Sequence, residues 1–582
     1  MNYTFSFENP ASQFIDIEFT TTVNNRESIN IQLPAWRPGR YELGNFAKNV
    51  RCFTVHDENG NFLSFTKENK DKWTIASKGA TKIKVKYQYY ASDLNAGSTY
   101  LSLEQLYVNP VNCCVYDPEK INEKCFINIH TPSNFIFANS MKVSDEKIYA
   151  DNKITSLEAS NFHDLADSPF IASPTLLREY FVVDGTEFNL WFQGECKPTM
   201  SKIIGDFFIF INEQLVMFKS IETEVFHFMF QILPYHFYHG VEHKNSTVIA
   251  LGPTYNLMKK DVYNELLGVS CHELFHHWNI KTIRPLEMQP YDYTKENYSY
   301  LGYVCEGVTT YYGDYLLYRS GVFSDDEYFN CFNEQLKKHF DNFGRYNLSV
   351  ADSSFDTWLD GYTKGIPDRK VSIYTEGCLI AFITDINIRK ATNNERNLDF
   401  VMRYLYENFG KQNKGYTDHD YRKIVNDTAG ISLDWIFDKH IYNNESLVQP
   451  LKDALEYIGL ELSITSNRNI YEAILGFKVV NEAGRLIVSS IYPDSEADKN
   501  GLMLNDRILS VNSFEVKQDL NEWITYFLHK DINIEVISQG KIRQIKFKKG
   551  KDIYYKNYNV IKQYGATDTQ QLNFKNWSGR YY

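Results

Sequence analysis

The sequence predicts a multidomain α+β protein, and three observations carry that prediction. Its 582 residues exceed what one core organises, since domains hold roughly 100–200 residues. Apolar and polar residues alternate with period two up to about residue 170 and again after about 449, which is the strand period. Between those stretches the spacing becomes helical, with only a few strands first. The expected order is an all-β, sandwich-like N-terminal domain (1–170), an α+β domain with a helical lobe (171–450), a small β domain (455–550) and a C-terminal tail (551–582) that is either a strand addition or loosely held.

Each element follows from local pattern. Phe14-Ile-Asp-Ile-Glu-Phe-Thr and Ile83-Lys-Val-Lys-Tyr-Gln-Tyr alternate strictly, and Glu58-Asn-Gly-Asn supplies a turn. Helical spacing runs from Met200 to about Leu215. Val225–Leu233 and Thr247–Leu251 are strands, then Asp261 to about Lys281 is helical, as are Glu306–Arg319, Asp325–Phe340, Ser372–Lys390 and Leu398–Phe409. Leu475-Gly-Phe-Lys-Val, Arg485–Tyr492, Arg507–Asn512 and Ile532–Ile537 return to strands with glycine turns. Aromatic residues make up 15% of the chain, a content that suits pleated, half-buried surfaces.

Charge and composition exclude several classes. A formal charge of −12 opposes a phosphate backbone, so no nucleic-acid partner is expected. Nine cysteines, an odd number that includes adjacent Cys113 and Cys114, do not form a disulfide framework and are expected as thiols. Neither a basic, apolar leader nor a membrane-length apolar run is visible, so a cytoplasmic protein without a membrane partner is expected.

Chemistry concentrates in Ser270-Cys-His-Glu-Leu-Phe-His-His-Trp-Asn279. His272 and His276 are four apart, which places both imidazoles on one helix face, close enough to bind one metal ion. Glu273 lies beside that face, where a carboxylate can hold a water at the metal and take its proton. A chain of this composition holds about 0.02 such patterns by chance. His277 is about 100° further round and is a neighbour, not a ligand. A catalytic zinc needs a third protein ligand and an open position. If that ligand is a carboxylate on a following helix, the best candidate is Glu306, which opens the apolar segment Cys305-Glu-Gly-Val-Thr-Thr-Tyr-Tyr-Gly313, where an inward carboxylate needs a cation.

His272-Glu-Leu-Phe-His276 followed by Glu306-Gly-Val-Thr resembles the gluzincin metallopeptidases. Asn279-Ile-Lys-Thr-Ile-Arg-Pro285 narrows the resemblance to the glycyl aminopeptidase family among them. Leu33-Pro-Ala-Trp-Arg-Pro-Gly-Arg-Tyr41 is similar to the signature of that family's N-terminal β domain. The resemblance implies a thermolysin-like catalytic domain with one Zn2+ per chain on His272, His276 and Glu306. Through Gly240-Val-Glu-His243 it implies Glu242 as the anchor for a substrate's free α-ammonium, with Gly240 beside it in the binding segment. Tyr374-Thr-Glu-Gly377 resembles the family's tyrosine motif, implying Tyr374 as a donor to the oxyanion. Two positions depart from the family pattern: Glu376 stands where lysine is usual, and His277 where a small or polar residue is common.

Ile474-Leu-Gly-Phe477 and Ala497-Asp-Lys-Asn-Gly-Leu-Met-Leu-Asn-Asp-Arg-Ile-Leu-Ser-Val-Asn512 resemble a PDZ domain, with Asn505 where glycine is usual. Such a module either receives a peptide C-terminus in its groove or packs structurally on the catalytic lobe. The function expected is a zinc aminopeptidase acting on peptides with a free N-terminus, and the family suggests small first residues such as Gly or Ala. Its rivals are a zinc endopeptidase with a cleft open at both ends and a peptide-binding scaffold on a degenerate protease.

Overall fold

A computed structural model describes residues 1–23, 26–363, 365–548 and 552–582. In its N-terminal region the alternation becomes strands: Ile15, Ile17 and Phe19 are buried on one side of Phe14–Thr22. That strand pairs antiparallel with Asn2–Ser6 and with Lys82–Tyr90, setting Ile17 opposite Phe5 and Tyr87. A seven-stranded sheet results, flanked by sheets of four and three strands.

The central region starts with a mixed five-stranded sheet. Its strands are β1 (Leu177–Val183), β2 (Thr186–Gln193), β3 (Val225–Ile232), β4 (Phe237–Glu242) and β5 (Ser246–Gly252), in the order β1-β2-β3-β5-β4. The middle strand, β3, is apolar on both faces, as a doubly covered strand must be. Phe226, Phe228 and Phe230 pack with Phe207 and Phe210 of helix α1 (Met200–Phe218), while Met229 joins Tyr107 and Ile171 of the N-terminal region on the opposite face. At the edge, β4 pairs only with β5 among the described residues.

Helices follow: α2 (Lys260–Phe275), α3 (Thr309–Arg319), α4 (Asp325–Asp341), α5 (Ile373–Ala391), α6 (Leu398–Asn408), α7 (Asp418–Ala429) and α8 (Val448–Tyr457). Ser324 and Glu327 close a capping box at the start of α4, satisfying its first amides. Helix α2 ends at Phe275, short of the Lys281 expected, because the chain turns sharply at Ile280, whose φ is +100°. A buried β-branched residue with that φ is strained, and it lies four residues past His276. None of the helices among the described residues is long and apolar enough to cross a membrane.

A smaller β region follows. It has β6 (Leu460–Thr465), helix α9 (Ile470–Leu475), β7 (Phe477–Glu482), β8 (Arg485–Ile491), β9 (Arg507–Val511), α10 (Leu520–Tyr526), β10 (Ile532–Ser538) and β11 (Lys541–Phe547), with sheet order β7-β8-β9-β10-β11 and its own core. The residues beyond 551 add a strand and a helix, the first of the two alternatives expected for them. Strand β12 (Asn557–Lys562) pairs with β6, and helix α11 (Asp568–Ser578) buries Trp577 in the core of the central region. There the Tyr315 hydroxyl donates to the Trp577 carbonyl at 2.5 Å, and Arg389 donates to the Asn576 carbonyl at 3.0 Å.

Candidate active site

Helix α2 buries Val262, Leu266, Leu274 and Phe275 in the core, which leaves His272 and Glu273 on its cleft side. Although regular helix stops at Phe275, the His276 amide still donates to the His272 carbonyl at 3.2 Å, preserving the i, i+4 relation. The two Nε2 atoms lie 3.1 Å apart. His276 Nδ1–H donates to the Asn279 carbonyl at 2.9 Å, which leaves Nε2 as the free ligand atom. Asn279 in turn reaches the carbonyls of Val304 and Cys305 and the Thr309 hydroxyl, at 2.9, 3.2 and 3.0 Å. The strained turn after α2 therefore fixes one histidine and ties it to the segment that carries Glu306.

Glu306 was expected at the opening of an α-helix. It sits instead in a π-helical stretch, Tyr303–Val308, that leads into α3, a widened turn of a kind often found at functional sites. Gly307 and Gly377 let this stretch cross α5 at backbone contact: a Cβ on Gly377 would lie 2.7 Å from the Gly307 Cα. Glu306 Oε2 is 3.3 Å from His276 Nε2 and 3.9 Å from His272 Nε2. Zinc ligands at 2.0–2.1 Å in a tetrahedron sit about 3.3 Å from one another, so separations of 3.1, 3.3 and 3.9 Å fit one zinc ion. Burial lowers the basicity of His272 and would lower that of His276. The Glu306 carboxylate reverses this at His276 and pushes its pKa up to about 10.

Glu273 and Glu242 are 5% and 4% exposed, and each has an oxygen, Oε2 and Oε1 respectively, without a hydrogen-bond partner. Burial pushes the Glu273 carboxyl well above the usual range, and the charges of Glu242 and Glu306 add to the shift. Ligand atoms of Glu242, Glu273 and His276 all fall within 4.8 Å of one another. Gly240 explains how edge strand β4 comes so close: any Cβ there would overlap Glu273 Oε1.

These groups line one cleft of about 1080 Å³, which also holds Tyr374, Tyr362 and the Lys478–Ser490 face of the C-terminal sheet. Tyr374, in the first turn of α5, is half-buried, and burial together with the charge of Glu306 raises its pKa well above the usual phenol value. His277 points away from the site. Its ring lies edge-on to Phe226, its Nδ1 meets the Lys244 carbonyl at 2.5 Å, and burial lowers its pKa to about 4. Glu376 pairs with His339 Nδ1 of α4 at 2.6 Å, and both residues line the cleft.

The structure thus brings together His272, Glu273, His276, Glu306, Glu242, Gly240 and Tyr374. It adds Asn279 and Tyr41, whose hydroxyl is 3.4 Å from Glu306 Oε1, both from segments quoted for other reasons. Tyr362 had no sequence signal among 42 tyrosines.

Residues 2–174 match the model of the peptidase M61 N-terminal domain, and residues 265–380 that of the M61 glycyl aminopeptidases. Among solved structures, an aminopeptidase N family protein from Idiomarina loihiensis is similar over 99% of both chains, with 24% identity and a TM-score of 0.91, so the two share a fold. An M1 zinc metallopeptidase from Deinococcus radiodurans is 12% identical over 76% of this chain and 94% of its own, with a TM-score of 0.49. No curated protein matches the sequence.

Proposed function

The chain belongs to the M61 glycyl aminopeptidase family, metallopeptidases that act on peptide bonds; from that premise we propose that it is a zinc aminopeptidase removing small N-terminal residues, Gly or Ala, from peptides. The observation that carries the reading is Glu242. A buried carboxylate with an unpartnered oxygen, beside Glu273 and His276, is costly unless a cation meets it, and a substrate α-ammonium is such a cation.

His272, His276 and Glu306 would hold the zinc, which would supply Lewis acidity to the scissile carbonyl and to water. Glu273 takes the proton of the attacking water and delivers it to the leaving amine. The Tyr374 hydroxyl, held neutral by its high pKa, donates to the carbonyl oxygen as negative charge builds. Extended substrate lies along the free edge of β4, where Gly240 admits Glu273 close against the strand. Glu242 ends the cleft by binding the α-ammonium, which distinguishes a terminus from a mid-chain bond.

Within this reading the domains run 1–170, 171–450 with α11 returning to it, and a PDZ-like 455–550 that walls the cleft. A structural role for that last module is supported by two contacts with the central region: Lys478 pairs with Asp341 of α4 at 2.5 Å, and Tyr492 packs edge-on to Phe343 at 4.6 Å. The test of the metal centre is zinc content. Wild type is expected to hold one zinc per chain and Glu306→Gln far less; equal zinc in both would overturn the ligand assignment.

A further inference from the structure

The segment Leu33–Tyr41 belongs to the N-terminal β region in sequence, yet it leaves that region to enter the catalytic one. The Ala35 amide donates to the Tyr293 carbonyl at 2.7 Å, and Trp36 Nε1–H to the Asp292 carbonyl at 2.8 Å. The Trp36 ring, fully buried, packs edge-on to Trp358 and Tyr291 at 5.0 and 5.4 Å. Tyr41 packs edge-on to Trp358 at 5.9 Å, and its amide donates to the Tyr362 hydroxyl at 3.4 Å. Five residues, 37–41, are thereby carried to the metal centre.

Three of them face its carboxylates. The Tyr41 hydroxyl, on a residue 4% exposed, donates to Glu306 Oε1, the oxygen that is not turned to the histidines. At 3.4 Å this contact is longer than the roughly 2.7 Å of a tight hydroxyl–carboxylate bond. Gly39 has φ +79°, and a Cβ there would lie 2.5 Å from Glu242 Oε2 and 3.1 Å from its Cδ. The bare Cα is the seat of that carboxylate. Arg37, 5% exposed, brings its guanidinium into the field of Glu242, and the missing Cβ of Gly97 makes room for it.

We propose that the 37–41 turn of the N-terminal domain is a positioning element of the active site: Tyr41 orients Glu306 toward the zinc, and Gly39 seats Glu242 at the amine end. The turn acts through these two carboxylates and touches no reacting atom. The inference rests on the reading of Glu306 as a zinc ligand and Glu242 as the amine anchor.

Two variants test it in the full-length protein. Tyr41→Phe deletes one oxygen, and its zinc Kd, measured by competition with a chromophoric chelator, is expected to rise about tenfold, the low end of what removing a ligand's outer hydrogen bond costs. Gly39→Ala is expected to leave the zinc Kd unchanged and to raise KM for a free-amine glycyl arylamide about tenfold. Wild-type zinc Kd in Tyr41→Phe together with wild-type KM in Gly39→Ala overturns the proposal and leaves the turn as interdomain packing. Should Gly39→Ala fail to fold, Tyr41→Phe decides alone. Glu306→Gln run alongside separates the two levels: if it binds zinc as wild type does, the ligand reading itself fails, whatever Tyr41→Phe shows.

Discussion

Gly240→Ala makes the most demanding use of the geometry. A Cβ at residue 240 would stand 2.7 Å from the Glu273 Cδ and 2.8 Å from Val269 Cγ2, against 3.4–4 Å for ordinary contact. Val269 is buried in the core and gives little, so the Glu273 carboxyl must retreat by about 1 Å. A misplacement of that size at a group that handles the proton costs about a hundredfold in rate, or about 2.7 kcal/mol in activation free energy. The three atoms nearest the new methyl belong to Glu273 and Val269, not to a zinc ligand. The assay is steady-state hydrolysis of a glycyl arylamide by zinc-loaded protein, with zinc content measured on the same sample. The expected result is kcat lower by about a hundredfold at full zinc occupancy. A kcat within threefold of wild type would refute the placement of Glu273 against β4; lost zinc would refute the separation of base from ligands.

Three further outcomes follow from other parts of the molecule. In the metal-free protein the proton on His276, held by Glu306 up to a pKa of about 10, must leave before zinc binds; zinc affinity is therefore expected to rise about tenfold per pH unit between pH 6 and 8, as read by chelator competition. Burial raises the carboxyl of Asp314 to about 6 against an ordinary 3.8, with Lys338 partly opposing it. The folded state thus favours the protonated form, and its stability is full below pH 4 and falls as pH rises through 6. In the metal-free protein Asp314→Asn is expected to gain about 1 kcal/mol at pH 8, after allowance for a half-buried group, and nothing at pH 4, by denaturant unfolding. Trp577→Ala empties a fully buried site between α3 and α5 and is expected to lose about 3–5 kcal/mol in the same assay, where a true tail residue would lose none.

What the sequence made legible divides along physical lines. His272, Glu273 and His276 lie within five residues, and the His276 amide keeps the helical bond to the His272 carbonyl, so helical period was enough to predict their shared face. Their approach to Glu306 was legible as chemistry, a carboxylate in an apolar segment, but not as geometry, since the π-helical turn depends on the close crossing of Gly307 and Gly377. The strand at Phe14 followed from period two, and the one at Val225 from its short run of apolar residues. The end of α2 did not, because Trp278 and Asn279 continue the helical pattern while Ile280 turns the backbone. The last thirty residues have a polar composition that hides Trp577 and Phe574, whose burial is set by the catalytic core. Tyr41 and Gly39 stood in a visible motif, yet their use requires knowing that a β-domain turn crosses to another domain. His277 shows the converse: a titratable neighbour in sequence that tertiary packing turns away.

The central claim is that a zinc centre and a buried carboxylate together recognise and cleave at a free N-terminus. It is tested most directly by comparing glycyl and alanyl arylamides with their N-acetylated counterparts, before chelation, after it, and with zinc restored. The account predicts hydrolysis of the free-amine substrates alone, lost on chelation and recovered with zinc. Equal cleavage of the N-acetylated substrates, or activity that survives complete removal of the metal, would contradict it.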